Sequence, residues 1–173
     1  MMSVASNQTI HGNQDVADLF RSAMGRFASS VTLVTTVDEH CCPHGLAATA
    51  FSSVSMDPAS ALVCVNRSSS ASPIIKRSGL FCVNMLQKEH EALCAIFSKP
   101  ELRDRRFVDG DWAVGVNGLR YLADAQASIF CEVVQEVEYG SHTIFIGNVV
   151  NVMTQSLESP LVYMGGRFRE LAA

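Results

Sequence analysis

Residues Ala125–Val152 have the sequence AQASIFCEVVQEVEYGSHTIFIGNVVNV, and this stretch decides the fold class. It predicts two long strands, Ala125–Val137 and His142–Val152, because both segments are dense in β-branched and apolar residues. Between them, Tyr139-Gly140-Ser141 has the composition of a turn, since glycine adopts conformations that other residues avoid. Two strands joined so closely pair in antiparallel fashion, so the stretch predicts a β-hairpin.

The rest of the chain predicts further strands with a few helices. A helix should begin with Asp15 as its N-cap and place one face on the protein body, because apolar residues recur at helical spacing as far as Phe27. The other predicted strands are Val31–Val37, Leu46–Val54, Ala61–Asn66, Leu80–Leu86, Trp112–Val116 and Leu161–Met164, and the short helices are Pro73–Lys76 and Glu89–Phe97. About seven strands with turn-length gaps predict a mainly β fold with peripheral helices, an antiparallel barrel rather than a doubly wound sheet.

Length and composition indicate one globular domain. The chain has 173 residues, of which 48% are hydrophobic and 17% charged, which suffices for one core and excludes a disordered protein. We expect residues 1–14 to be a flexible N-terminal segment and residues 15–173 to form a single domain.

Charge and hydropathy exclude two classes of partner. The net charge is -4 and the basic residues form no cluster, so we expect no nucleic-acid binding. The N-terminus lacks a secretory signal pattern, and no apolar run approaches the ~20 residues of a membrane span. The expected location is the cytoplasm, with no membrane association.

The six cysteines predict free thiols rather than a metal site. Cys64, Cys82, Cys94 and Cys131 lie in apolar runs, where a reduced cysteine behaves as a small hydrophobic residue, and no C-x-x-C spacing for zinc occurs. The neighbours Cys41 and Cys42 lie in the polar stretch DEHCCPHG, residues 38–45, for which a simple turn is favoured over a metal or redox role.

Motif absences suggest that a cofactor supplies any chemistry. The chain has no P-loop, no G-x-G-x-x-G after a strand, no G-x-S-x-G elbow and no prominent carboxylate pair. The small side chains and hydroxyls of Gly45–Pro58 (GLAATAFSSVSMDP) would let a flat ligand approach the backbone. The polar cluster Asn66–Ser72 precedes a helix start and would suit a phosphate. By composition alone, both stretches are ordinary serine-rich turns.

Four sequence blocks, in a fixed order along the chain, resemble those of a known family. The blocks are GLAATAFSSVSMDP at 45–58, ALVCVNRSSS at 61–70, YGSHTIFIGNV at 139–149 and YMGGRF at 163–168. Together they resemble the short-chain flavin reductases, the reductase components of two-component flavin-dependent aromatic monooxygenases, such as those for chlorophenol or 4-hydroxyphenylacetate. The similarity extends from about Phe20 to Phe168.

The resemblance implies a split β-barrel of the FMN-binding type, a homodimer with flavin near the dimer interface. It implies that NADH reduces FAD (or FMN) by hydride transfer, with the reacting atoms roughly 3 to 3.5 Å apart. Reduced flavin would then pass to a partner monooxygenase in aromatic-compound degradation. NADH is favoured over NADPH because no arginine cluster near Tyr163 awaits a 2′-phosphate.

The resemblance also implies a set of flavin contacts, taken over by position. Backbone groups of Ala48, Thr49 and Ala50 would face the isoalloxazine, and Ser53 and Ser55 would line the ribityl and phosphate path. The phosphate end would meet Asn66, Ser70 and Ser72. Phe97 and the loop after it would contact the adenine of FAD.

The nucleotide contacts are implied in the same way. His142 would meet the nicotinamide nucleotide as the one catalytic residue. The segment Tyr163, Met164, Gly165, Gly166 and Arg167 offers an aromatic face, glycines for close approach and a cation for a phosphate. A buried strand end explains that segment equally well.

Four positions depart from the family pattern. Ala47 and Thr49 stand where threonine and asparagine are usual, which alters polar contacts near the flavin ring. Ala59 replaces the second proline, and Ser141 replaces the aspartate of G-D-H, which changes how His142 is held.

Two other functional classes remain open at this point. The first is a flavin- or haem-binding protein of the same barrel architecture without reductase turnover. The second is a barrel oxidase that acts on a small substrate with tightly held FMN and would purify yellow.

Overall fold

The computed structural model describes residues 13–156 and 159–171. Its α-helices are α1 (Asn13–Met24), α2 (Ser72–Ser78) and α3 (Glu91–Ser98), and 3₁₀ helices span Lys88–His90, Pro100–Arg105 and Val116–Gly118. Its strands are β1 (Ser29–Ser30), β2 (Thr32–Val37), β3 (Pro43–Ala48), β4 (Phe51–Met56), β5 (Ala59–Asn66), β6 (Leu80–Met85), β7 (Trp112–Val114), β8 (Arg120–Leu122), β9 (Ala127–Tyr139), β10 (His142–Thr154), β11 (Val162–Met164) and β12 (Arg167–Arg169). The predicted mainly β fold with a few helices is confirmed.

Seven of these strands form one antiparallel sheet in the order β3-β2-β6-β9-β10-β5-β4. The predicted hairpin is confirmed as β9 and β10, in which His142 pairs with Tyr139 and the turn between them contains Gly140 at φ +56°. The hairpin lies inside the sheet, with β6 on one side and β5 on the other. The hairpin β9–β10 therefore connects the two halves of the sheet, β3-β2-β6 and β5-β4.

The predicted strand Leu46–Val54 is wrong, because the chain breaks at Thr49 and Ala50. The Phe51 N–H donates to the Thr49 carbonyl at 3.1 Å, a tight turn that ends β3 and begins β4. These two strands lie at opposite edges of the sheet, although only two residues join them. The sheet must therefore roll until its edges meet at this link. Within the described residues, no hydrogen-bonded ladder joins β3 to β4, so the roll is not a closed barrel.

The inside of the rolled sheet is a dry apolar core. It brings together Val34, Val63, Phe81 and Phe145 from four different strands, and all four are fully buried. Burial of each such side chain contributes roughly 1.5–3 kcal/mol to folding. Gly147 is required on β10, because a Cβ there would lie 2.8 Å from Phe81 Cε1.

One polar residue is fully buried where four strands meet. Asn84 on β6 donates from Nδ2 to the Leu33 carbonyl at 3.0 Å. Its Oδ1 accepts from the Leu122 N–H at 2.8 Å and from the Ser128 hydroxyl at 3.0 Å. One amide group thus satisfies backbone groups of β2 and β8 and a side chain of β9.

Helix α1 differs from its prediction in two ways. It begins at Asn13, so Asp15 lies in its first turn instead of capping it. Of the segment 1–14 that was predicted to be flexible, residues 1–12 lie outside the described residues and the last two belong to α1. Its apolar face does not pack on the body: Phe20 is 64% exposed, and Phe27 just beyond the helix is 65% exposed. None of the helices in the described ranges has the length and apolar character needed to cross a bilayer.

The cysteines are free thiols. Cys82, Cys94 and Cys131 are buried and Cys64 is half-buried, as predicted from their apolar surroundings. Burial raises the pKa of the Cys131 thiol to about 12, which keeps it protonated and inert at neutral pH. Cys41 and Cys42 are exposed in a turn, and no cluster of three metal-ligating side chains occurs at residues 13–156 and 159–171.

That turn is organised by Asp38. Its Oδ1 accepts from the N–H groups of His40 and Cys42, each at 2.9 Å, and its Oδ2 lies 3.0 Å from His44 Nε2. The hydrogen bond to His44, reinforced by the backbone bond from Cys42, lowers the pKa of the Asp38 carboxyl from 3.8 to about 2. The folded state therefore favours the carboxylate over the acid.

This pKa shift predicts an acid-dependent loss of stability. The Asp38 pKa is lower in the folded chain than in the unfolded one, so its contribution is complete above pH 3.8 and is lost as the pH falls through about 2. We expect Asp38→Asn to be less stable at neutral pH and to show a smaller decline between these pH values. Urea unfolding at a series of pH values measures both effects. Asp111→Asn, at an exposed carboxylate, is the control and should follow the wild-type profile.

Candidate functional site

A cavity of about 590 Å³ opens at the end of β3, between α3 and the hairpin β11–β12. From β3 and the link after it, Ala47, Ala48 and Thr49 line the cavity. The Ala48 carbonyl already accepts from the Thr32 hydroxyl at 2.8 Å, which fixes the end of the strand. With such short side chains, this wall exposes its backbone to a ligand.

The second wall is helix α3. Glu91, Cys94, Ala95 and Ser98 line the cavity at helical spacing, and Lys99 follows them. The helix can lie against β3 only because position 45 is glycine, since a Cβ there would be 2.8 Å from Phe97 Cε1 and 2.9 Å from the Val34 carbonyl oxygen. Close approach of the two walls therefore depends on Gly45.

The third wall is the hairpin of β11 and β12. Gly165 at φ +67° and Gly166 at φ +77° form its two-residue turn, a conformation that glycine adopts without strain. Tyr163 stacks edge-on against Phe168 across the hairpin, with ring centroids 5.5 Å apart. Tyr163 is 39% exposed and Arg167 is exposed, so this segment is a cavity wall and not a buried strand end.

The cavity unites predicted residues from distant parts of the chain. Ala48, Thr49, Tyr163, Gly166 and Arg167 all line it. The neighbouring Met164 and Gly165 belong to the same hairpin but do not line the cavity. Two of the four sequence blocks thus meet at one place.

A second group of predicted residues surrounds the turn end of β10. His142 is exposed and pairs directly with Asn66 on β5. The Asn66 side-chain oxygen is occupied by the N–H and hydroxyl of Ser68, which leaves its amide nitrogen free to donate. Ser70 is half-buried and Ser72 is buried at the start of α2, so the Ser72 hydroxyl is poorly exposed to a phosphate.

His142 is held by the residue that departs from the family pattern. The Ser141 hydroxyl lies 2.9 Å from His142 Nδ1, so serine still contacts the imidazole where an aspartate was usual. Because serine is neutral, it orients the ring without adding a negative charge beside it.

Strand β5 links the two groups. The Ala50 carbonyl accepts from the Cys64 N–H at 2.9 Å, and Asn66 lies two residues farther along, about 7 Å at the usual rise of a strand. Because Asn66 pairs with His142, the link at Ala50 lies between the cavity and the histidine. The ring residues Ala48–Ala50 therefore lie near the His142 end of β10, while Tyr163–Arg167 reach the cavity from the separate sheet β1-β11-β12.

Among the other predicted flavin contacts, Ala50, Ser53, Ser55 and Phe97 do not line the cavity. Ser53 is exposed on β4, and the Ser55 hydroxyl is engaged with Asp57, accepting from its N–H and donating to its carbonyl at 3.0 Å. Phe97 is only 2% exposed, because its ring packs in the core against Phe107 and Trp112. The predicted contact of Phe97 with adenine is corrected accordingly: Ser98, the last residue of α3, and Lys99 after it line the cavity instead.

The α3 residues were missed by the sequence prediction. Glu91, Cys94, Ala95 and Ser98 follow the i, i+3, i+4, i+7 pattern of one helix face, which is the signal that could have identified them. Burial raises the pKa of the Cys94 thiol, and Glu91 adds to this effect, so Cys94 is an uncharged thiol and a weak nucleophile. The site therefore offers shape, backbone groups and the cations Lys99 and Arg167, without an activated nucleophile.

Comparisons with known proteins point to one family. The family model of the flavin reductase like domain matches residues 24–172. The FMN reductase (NADH) RutF of Agrobacterium fabrum strain C58 is 37% identical over 152 residues, covering 88% of this chain and 87% of the relative. The reductase component of the FADH₂-dependent resorcinol hydroxylase of Rhizobium sp. strain MTP-10005 is 37% identical over 158 residues, covering 90% and 87%.

A solved structure is similar over nearly the whole chain. It is the NADH:FAD oxidoreductase SgcE6 of Streptomyces globisporus C-1027 in complex with NAD and FAD fragments. Its TM-score is 0.85 and its identity 29%, with 95% of this chain and 98% of that one covered.

Proposed function

The chain belongs to the flavin reductase like family and is an NAD(P)H-dependent flavin reductase, and we propose that it reduces FAD or FMN with NADH and releases the reduced flavin to a partner monooxygenase. The observation that supports this best is the convergence of Ala48, Thr49, Tyr163, Gly166 and Arg167 on one cavity. Its volume of about 590 Å³ lies within the roughly 300–1,000 Å³ of small-molecule sites.

The residues of the cavity fit a flavin. A planar ring can approach the backbone at Ala48 and Thr49 because no large side chain intervenes, and Tyr163 offers an aromatic face opposite. Lys99 and Arg167 supply positive charge for phosphate groups. Apart from these two cations and the carboxylate of Glu91, the lining is uncharged, which suits a ligand that must leave after each turnover.

The chemistry that bound flavin supplies is acceptance of a hydride from C4 of the nicotinamide at its N5. The chain needs no nucleophile for this reaction, which agrees with the inert Cys94 thiol. Its residues have to hold two rings in contact and keep water out. Orienting two reactants in this way lowers the activation free energy by up to roughly 7–11 kcal/mol, because their entropy has already been lost on binding. His142, oriented by Ser141, is the proposed contact for the nicotinamide nucleotide.

A flavin-dependence assay tests the proposal. Purified protein is mixed with NADH or NADPH and with FAD, FMN or no flavin, and loss of nicotinamide absorbance is followed. We expect oxidation of NADH that requires added flavin. Flavin binding without NADH oxidation would support the non-turnover alternative, and a protein that purifies yellow with tightly held FMN would support the oxidase alternative.

His142→Ala should weaken nicotinamide binding selectively. The imidazole is proposed to contact the nucleotide and not the flavin. We therefore expect the KM for NADH to rise about tenfold, which corresponds to the loss of one contact of ~1.4 kcal/mol, and the KM for flavin to stay nearly unchanged. Steady-state kinetics with each substrate varied in turn measure both constants. His40→Ala, at an exposed histidine in the Asp38 turn, is the control. An unchanged KM for NADH in His142→Ala would remove His142 from the site.

The proposal includes a split β-barrel of the FMN-binding type that functions as a homodimer with flavin near the interface. It is supported by the exposed apolar residues of α1 and of the hairpin β9–β10, including Phe20, Phe27, Val134 and Val152, which a second copy would cover. Sedimentation analysis should give a dimer, and Phe20→Glu should shift it towards the monomer. A wild-type protein that sediments as a monomer at micromolar concentration would contradict this part.

The proposed recipient is a flavin-dependent monooxygenase in aromatic-compound degradation. The resorcinol hydroxylase relative supports this context, since that protein is named as the reductase component of such an enzyme. The proposed location is the cytoplasm, and the free thiols fit a reducing compartment.

A further inference from the structure

Arg106 connects two walls of the cavity without lining it. The residue follows the 3₁₀ helix Pro100–Arg105, and its guanidinium donates from Nη1 to the Gly45 carbonyl at 2.7 Å. From Nη2 it donates to the carbonyls of Phe97 at 3.1 Å and Lys99 at 3.3 Å. One planar group is thus bonded to β3 and to the end of α3 at the same time.

The bonded carbonyls lie next to the residues that form the cavity. Gly45 is two residues before Ala47, and Phe97 and Lys99 flank Ser98. The last carbonyls of a helix lack intrahelical partners, and a cation there also interacts favourably with the helix dipole. A shift of this guanidinium would therefore change the distance between the Ala47–Ala48 wall and the Ser98–Lys99 wall.

The surroundings of Arg106 are unusual for a residue whose only role is stability. None of the carboxylates in the described chain lies within ion-pair distance of it, and its charge is met by three carbonyls and by the face of the Phe97 ring, 5.6 Å from Cζ to the centroid. Its Nε–H is buried without a hydrogen-bond partner. A buried donor left unpaired destabilises the folded state, so stability alone does not explain why the charge is held there.

We propose that Arg106 is a positioning residue for flavin reduction, which sets the width of the cavity by holding β3 against α3. The inference rests on the proposed function, because it assigns the cavity to the flavin. Lysine cannot replace arginine fully here, since an ammonium lacks the planar fork that reaches both walls. Glutamine retains part of the length of the side chain but loses the charge.

Kinetics and binding of matched variants test the inference. Arg106→Gln should lower kcat/KM for flavin by roughly 10- to 100-fold, because small displacements of reacting groups have effects of this size. It should also raise the flavin Kd in a fluorescence titration and alter the visible spectrum of bound flavin, with Arg106→Lys intermediate. Arg105→Gln is the control: this arginine is exposed on the same 3₁₀ helix, paired with Asp109, and its variant should match the wild type.

A destabilised variant elsewhere separates positioning from general loss of stability. Asn84→Ala removes buried hydrogen bonds that involve no residue of the cavity lining. Measured at a temperature where it remains folded, it should keep the wild-type flavin Kd. Equal flavin affinity and kcat in Arg106→Gln and wild type would overturn the inference, as would equal losses in Asn84→Ala and Arg106→Gln. If Arg106→Gln does not fold, wild-type kinetics in Arg106→Lys would overturn it.

The two hypotheses fail in different ways. Absence of flavin-dependent NADH oxidation by the wild-type protein defeats the proposed function, and the inference with it. Normal wild-type activity with unaffected Arg106 variants defeats the inference alone.

Discussion

Asn84→Ala is expected to lower the free energy of unfolding by about 3 kcal/mol, the largest effect on stability that we predict for a single polar residue. The substitution removes the Asn84 partner of the Leu122 N–H, the Leu33 carbonyl and the Ser128 hydroxyl in a buried site, and the hydroxyl keeps only a longer contact of 3.5 Å with the Leu122 carbonyl. Each unpaired buried group has a cost of its own, and the small cavity left by the side chain adds to it.

Urea denaturation followed by circular dichroism measures this change as a lower midpoint at an unchanged slope. Ser128→Ala removes one of the three bonds and should have about a third of the effect, near 1 kcal/mol. Asn151→Ala, on β10, is the matched control, since that side chain makes no hydrogen bond within the described chain. A urea midpoint for Asn84→Ala within error of that of the control would show that the hydrogen bonds of the buried amide do not stabilise the fold.

Ala95→Trp is expected to abolish flavin reduction, with a loss of at least 100-fold in kcat/KM, because a 1 Å misplacement alone can have that effect. Ala95 lines the cavity from the middle of α3, so an indole there fills the space between α3 and the Ala47–Thr49 wall. The helix itself tolerates the change, since tryptophan differs from alanine in helix propensity by only about 0.5 kcal/mol.

The same helix provides the control. Ala92 is exposed and does not line the cavity, so Ala92→Trp introduces the same ring on α3 outside the cavity lining and should keep wild-type kinetics. Flavin titration and circular dichroism, recorded on both variants, separate loss of the site from loss of the fold. Full activity in Ala95→Trp would mean that flavin reduction takes place elsewhere.

The elements predicted correctly are those with a long, uninterrupted pattern. The hairpin β9–β10 was predictable because two runs of β-branched residues flank an obvious turn at Gly140. Strands β8 and β12 were missed: three residues are too few to show a period, although the equally short β7 and β11 were predicted. The break at Thr49 and Ala50 was missed because neither residue is a glycine or proline, so local sequence contains no signal for it.

The prediction that one face of α1 packs on the protein body was wrong for a different reason. The apolar face was recognised correctly from its spacing, but periodicity does not identify the surface that covers it. Among the described residues that face is exposed, and the proposed second copy would cover it.

For the site, the sequence blocks led to β3 and the β11–β12 hairpin, where family resemblance was strong. They did not lead to Arg106, whose role arises only when α3 lies against Gly45. Phe97 was misplaced because an aromatic residue before a loop suits a ligand and a core equally well, and only its neighbours Phe107 and Trp112 distinguish the two.

Because of the link at Thr49 and Ala50, we expect enzyme activity to appear only after the whole sheet has folded. Three of the six strand pairings in the sheet (β2–β6, β6–β9 and β5–β10) join segments far apart in the chain, such as Asn148 with Ser60, and such long-range pairing is slow to form. The cavity wall at Ala48–Thr49 is in place only when both edge strands have docked, one at each end of the sheet order. On dilution from denaturant, catalysis should therefore recover no faster than the last strand-docking step, and a partly assembled chain should show none.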